Sequence, residues 1–177
     1  MSYFMVDVEA DGPIPGEQDY SMILIGAVLV TPELDQTFLG KLHPISDKWI
    51  PEALKVSGYT REETLKFPPA DLVIRDFVNW VDTMSAATKS RPLFISDNNG
   101  FDWQFVNWYC HHFVGSNPFG FSSTNLGSLY KGIVKDMFKN FKHLRKTKHT
   151  HNPVDDAKGN AEALLELKRA YHLKMDL

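Results

Sequence analysis

The chain has 177 residues, 43% of them hydrophobic and 12% aromatic, which suffices for one sizeable core and suits a single domain over residues 1–177. Its one cysteine, Cys110, excludes a disulfide framework and a thiolate cluster for structural zinc. The net charge of −3 argues weakly against a polyanionic partner, but Lys131, Lys135, Lys139, Lys142, Arg145, Lys146 and Lys148 form a basic strip with Asp136 as its one acid. No apolar run approaches the roughly 18 to 20 residues of a membrane span, and no basic leader precedes an apolar segment. A cytoplasmic location without a membrane partner is therefore expected.

Tyr3 to Ala10 is a β-branched and aromatic run closed by Asp11-Gly12-Pro13, and Met22 to Val30 is a second apolar run closed by Thr31-Pro32. Both read as strands, with a surface loop from Asp11 to Tyr20 between them. Gln36 to His43 alternates as a third strand. The period then becomes helical over Glu52 to Val56, Arg61 to Leu65 and Ala70 to Met84. Pro92 to Ser96 is a short buried strand. It precedes a helix in which Phe101, Phe105, Trp108 and His112 share a stripe. A fifth strand falls within Phe119 to Leu126, and an amphipathic helix is predicted over Ser128 to Leu144, with Met137 and Phe138 on its apolar side. The last helix starts near Pro153, a residue suited to a first turn, and runs to about His172. Strands alternating with helices imply an α/β fold.

Three short stretches could carry chemistry. Asp7 and Glu9 end the first strand, and the period-2 alternation of a strand points both carboxylates to one face. Like charges held so closely call for a cation, although an isolated Asp-x-Glu is also what a solvated strand edge looks like. Asp102 opens the aromatic helix, where an acid equally serves as a favourable N-terminal charge. His151 stands in a loop five residues before Asp156 in the first turn of the last helix, so an imidazole and a carboxylate can face one centre. A zinc site from His143, His149 and His151 has no familiar ligand spacing.

Taken in this order, the stretches resemble the DEDDh exonucleases, which include the proofreading epsilon subunit of bacterial DNA polymerase, ribonuclease T and oligoribonuclease. The motif Asp-x-Glu-(Thr)-x-Gly falls on Asp7, Glu9 and Gly12; His-Asn-x-x-Phe-Asp on Asn98, Phe101 and Asp102; and His-x-x-x-x-Asp on His151 and Asp156. Ser21 to Val30 and Ile50 to Glu63 also look like the family's corresponding segments, so the likeness covers nearly the whole chain. Ala10 stands where many members have threonine, and Asp97 where many have histidine.

The resemblance implies a ribonuclease H-like fold, with a mixed central sheet of about five strands flanked by helices. It also implies two Mg²⁺ or Mn²⁺ ions held by Asp7, Glu9, Asp102 and Asp156, with His151 as general base. The expected reaction is 3′→5′ hydrolysis of single-stranded nucleic acid to nucleoside 5′-monophosphates, at RNA or DNA 3′ ends, RNA being the first choice. Ala10, Asn98, Trp103, Lys142, Arg145 and Lys146 are the expected nucleic-acid contacts. Relatives are often dimers, so a homodimer fits. The alternatives are a phosphodiesterase specific for short oligonucleotides and a non-catalytic binding subunit of the same fold.

Overall fold

Buried and half-exposed residues alternate toward the end of Ser2–Ala10, which forms strand β1 at the centre of the molecule. The computed structural model describes residues 1–177. Strand β2, Met22–Leu29, is buried along its whole length, as expected of a continuous apolar run covered on both faces. Strands β3 (Thr37–Lys41), β4 (Pro92–Ser96) and β5 (Ser123–Asn125) complete a five-stranded sheet in the order β3-β2-β1-β4-β5. The pairs β1–β2 and β2–β3 are antiparallel, whereas β1–β4 and β4–β5 are parallel. The sheet is thus mixed, as the resemblance implies.

Helices α1 (Pro51–Val56), α2 (Arg61–Thr64), α3 (Ala70–Thr88), α4 (Asn99–Val114), α5 (Leu126–Val134) and α6 (Pro153–Tyr171) flank the sheet. Phe4, Val6 and Val8 of β1 pack with Ile74 and Phe77 of α3 and Phe105 and Tyr109 of α4 in one core. Met5 points the opposite way, into a second core with Ala157, Ala161 and Leu164 of α6. No helix is long and apolar enough to cross a membrane. The parallel strands β1 and β4 end at the same edge, where α/β sheets tend to place ligand sites.

The helix predicted over Ser128 to Leu144 is a correction. Asn125 caps α5 by accepting from the Ser128 N–H at 2.6 Å, but the helix ends at Lys135, whose φ of 56° is left-handed. Met137 and Phe138 consequently leave the apolar stripe, at 73% and 99% exposure, and the chain regains helical form only in a 3-10 turn over Lys142–Leu144. Phe141 remains buried, so this loop is anchored by one ring in place of a helical face.

Candidate active site

The site is built where β1 meets the first turn of α6. Asp7 stands opposite Gly26 and Glu9 opposite Leu24 in the β1–β2 ladder, and Val8 between them is buried in the other face of the sheet. A Cβ at Gly26 would lie 2.3 Å from the Pro153 carbonyl carbon. Glycine is therefore what allows α6 to press its N-terminus onto the sheet beside Asp7. The start of α6 is fixed locally by Pro153 in the first turn and by the Asn152 side chain, which accepts from the Val154 N–H at 3.0 Å.

That close approach brings Asp156 to the strand carboxylates, and ligand oxygens of Asp7, Glu9 and Asp156 lie within 4.8 Å of one another. Asp156 is nearly inaccessible, and its carboxylate accepts the N–H groups of Thr150 at 3.1 Å and His151 at 3.0 Å. Asp102, from the first turn of α4, joins from the β4 side. Its Oδ1 accepts the Val8 N–H at 3.1 Å, the amide between Asp7 and Glu9. Its Oδ2 is buried with no hydrogen-bond partner.

Burial, followed by the charges of Asp102, Glu9 and Asp156, pushes the Asp7 carboxyl well above the ordinary range. Burial and then Asp156 and Asp102 push Glu9 up to about 7. Burial likewise lifts Asp102 to about 7, against the neighbouring Ser96 hydroxyl, which makes no well-formed hydrogen bond to it, and the Val8 N–H, both of which favour its charged form. Carboxyls buried beside other negative charges disfavour ionisation, and a divalent cation reverses that preference. The orphaned Asp102 Oδ2 and the all-oxygen donor set fit a hard cation such as Mg²⁺ or Mn²⁺.

His151 adopts a left-handed backbone conformation, φ 60°, in the loop before α6. Its half-exposed ring places Nδ1 3.7 Å from Glu9 Oε1, so the imidazole overhangs the carboxylates. Beside it, a cavity of about 320 Å³ is lined by Leu24, Lys41, Tyr59, Asn152 and His151 itself. Lys41 faces Leu24 across the β2–β3 ladder, as Leu24 faces Glu9, so one cross-strand row joins the cavity to the carboxylates.

The expected nucleic-acid contacts divide. Asn98, Lys142 and Lys146 are exposed, and Asn98 sits at the N-cap of α4 beside Asp102. Trp103 is half-buried, its ring edge-on to Phe94 at 5.1 Å, so it is partly a core residue. Ala10 turns its methyl into the core with Val8, for which period-2 alternation is the reason, and offers no side chain to a nucleotide. Arg145 is also turned inward: Nη2 pairs with Asp97 Oδ2 at 3.1 Å and donates to Asn160 Oδ1. Its guanidinium is committed inside the protein, close enough to Asp7 to lower that group's pKa, and is not an open phosphate contact.

Sequence reasoning missed two contributions to this arrangement. Gly26 reads as an ordinary small residue within an apolar run, because its effect is on a helix more than a hundred residues away in the chain. Glu162 accepts the N–H groups of Lys146 at 2.8 Å and Thr147 at 2.7 Å, tying the 145–150 loop to α6. Asp97, at the histidine position of the family motif, is paired here with the inward-turned Arg145.

No family model matches the chain. A curated protein from Escherichia coli, the 3′-5′ DNA exonuclease Cap18, is 37% identical over 133 residues, which cover 74% of this chain and 68% of that protein. Among solved structures, the nuclease domain of 3′hExo, a DEDDh family member bound to rAMP, superposes with a TM-score of 0.77 at 17% identity, over 99% of this chain and 96% of its own. Pop2p of S. pombe, in its Mg²⁺- and Mn²⁺-bound form, superposes with a TM-score of 0.67 at 12% identity, covering 99% of this chain and 86% of its own. The ribonuclease H-like fold and the identity to Cap18 lead to one conclusion: this chain belongs to the DEDDh family of 3′→5′ exonucleases.

Proposed function

We propose that Asp7, Glu9, Asp102 and Asp156 hold two Mg²⁺ or Mn²⁺ ions, that His151 is the general base, and that the substrate is the 3′ end of single-stranded DNA. The observation that carries this reading is the meeting of the Asp7, Glu9 and Asp156 oxygens within 4.8 Å, beside a buried Asp102 oxygen without a donor. When bound there, the metals supply Lewis acidity for a water nucleophile and for the departing 3′ oxygen. The protein's own part is to place and move a proton. His151 overhangs Glu9 with half its ring open to solvent, so neutral imidazole can take the proton of the attacking water. The Val8, Thr150 and His151 N–H groups fix the Asp102 and Asp156 carboxylates, which limits their reorganisation during the reaction.

Hydrolysis with water attacking the terminal phosphodiester releases a nucleoside 5′-monophosphate and leaves a new 3′ hydroxyl. The rAMP bound by the 3′hExo nuclease domain has the form of such a product. DNA is favoured here over the RNA first expected, because the relative at 37% identity is a DNA exonuclease. The cavity beside His151, about 320 Å³ and walled by Tyr59 and Lys41, offers an aromatic edge and a cation to the terminal nucleotide.

The test is digestion of 5′-labelled single-stranded DNA and RNA of matched sequence, with a dinucleotide as third substrate, in Mg²⁺ or Mn²⁺. A ladder shortening from the 3′ end, faster on DNA, is expected. Intact DNA in either metal, or turnover of the dinucleotide alone, would overturn the substrate assignment.

A further inference from the structure

A second group of metal-ligating side chains overlaps the carboxylate cluster. Ligand atoms of His149, His151 and Asp156 lie within 4.8 Å of one another, and Asp156 belongs to both groups. His149 Nδ1 is 2.8 Å from Asp156 Oδ1, and the two imidazole rings lie 4.3 Å apart at 70°. Both rings are about half exposed, with side-chain accessibilities of 54% for His149 and 49% for His151. They can therefore rotate toward a shared ion, while the buried Asp156 carboxylate stays fixed by the Thr150 and His151 N–H groups.

We propose that His149, His151 and Asp156 form a binding site for a zinc-class divalent ion, and that filling it switches the exonuclease off. The two ligand sets differ in chemistry. Four carboxylates suit a hard ion, whereas two neutral imidazoles and one carboxylate suit Zn²⁺, with water completing a tetrahedron. Zinc–nitrogen bonds of roughly 2.0 to 2.1 Å require the ligand atoms to close to about 3.3 Å, a movement within reach of two exposed rings. Occupancy ties up the His151 lone pair and engages the fixed Asp156 carboxylate that the site shares with Asp7 and Glu9. Zinc at this position thus removes the proposed base and one ligand of the hard-metal site together.

The inhibition rests on the roles assigned above to His151 and Asp156, whereas the zinc site itself does not. His149 lies outside the four-carboxylate cluster, so His149→Ala separates the two. Zinc binding to the full chain is measured by calorimetry in excess Mg²⁺, for wild type and His149→Ala, and zinc inhibition of Mg²⁺-driven DNA hydrolysis is measured in parallel. Wild type should bind one tight equivalent of Zn²⁺. His149→Ala should bind it at least tenfold more weakly, need at least tenfold more Zn²⁺ for half-inhibition, and keep its zinc-free turnover. Equal binding and equal inhibition in both proteins would overturn the proposal and place zinc among the carboxylates. A wild type without Mg²⁺-driven turnover would count against the catalytic assignment, while the calorimetric comparison would still decide the zinc site.

Discussion

Arg145 places Nη2 3.1 Å from Oδ2 of Asp97, at side-chain exposures of 9% and 27%. The pair joins the end of β4 to the loop that carries His149 and His151, and the same guanidinium donates to Asn160 on α6. Arg145→Met keeps much of the side-chain volume and leaves Asp97 without its partner, with its charge bearing on Asp102. Breaking a buried pair costs about 3 to 5 kcal/mol, and the partial exposure of Asp97 reduces this to about 2 kcal/mol. Chemical denaturation should show that loss, and an unchanged midpoint would contradict it.

Gly26→Ala should disturb chemistry more than folding. The new methyl would collide with the Pro153 backbone and displace the first turn of α6, and with it Asp156. Overpacking of this kind costs about 1 to 3 kcal/mol, whereas a displacement on the order of 1 Å can lower a rate about 10²-fold. Turnover measured where the variant is still fully folded should fall by that order. Wild-type turnover would mean that the close approach of α6 is dispensable.

Glu9 and Asp102 hold protons to about pH 7 in the metal-free fold, and Asp11, raised chiefly by burial, to about 6. In the unfolded chain such carboxyls release them near pH 4. Between these values the folded state binds more protons, so metal-free stability falls as pH rises from about 4 to 7. Divalent cations bind the ionised carboxylates and displace those protons. Mn²⁺ should therefore raise Tm more at pH 8 than at pH 5.5, as scanning calorimetry would read. An equal shift at both values would contradict the protonation of the cluster.

The exposed Lys142 and Lys146 remain the phosphate contacts expected on the basic loop. For single strands each neutralised phosphate contributes a slope of about −0.7 in log K against log salt. Replacing both with glutamine should therefore flatten the slope of DNA binding by about 1.4. An unchanged slope would remove this loop from the DNA path.

The strand ends were legible in the sequence, because alternation alone puts Asp7 and Glu9 on one face and Val8 in the core. Pro153 likewise marked the start of α6 at its observed residue. The region after α5 was not legible: apolar spacing continues through Met137 and Phe138, yet a single left-handed residue, Lys135, ends the helix. Arg145 was misleading for a related reason. A basic run shows how much charge is present, not which residue will turn inward to an acid such as Asp97 across the fold. Gly26 and Glu162 act through contacts between distant segments, and local pattern carries no trace of those.

The role of His151 is tested most directly by single-turnover hydrolysis of 5′-labelled single-stranded DNA, with binding measured alongside, for wild type and His151→Ala in Mg²⁺. Loss of a general base lowers the rate by about 10² to 10⁴, so the variant should bind DNA as wild type does and cleave it slower by that factor. A variant that still cleaves at the wild-type rate would show that the proton leaves by another route and that His151 is not the base.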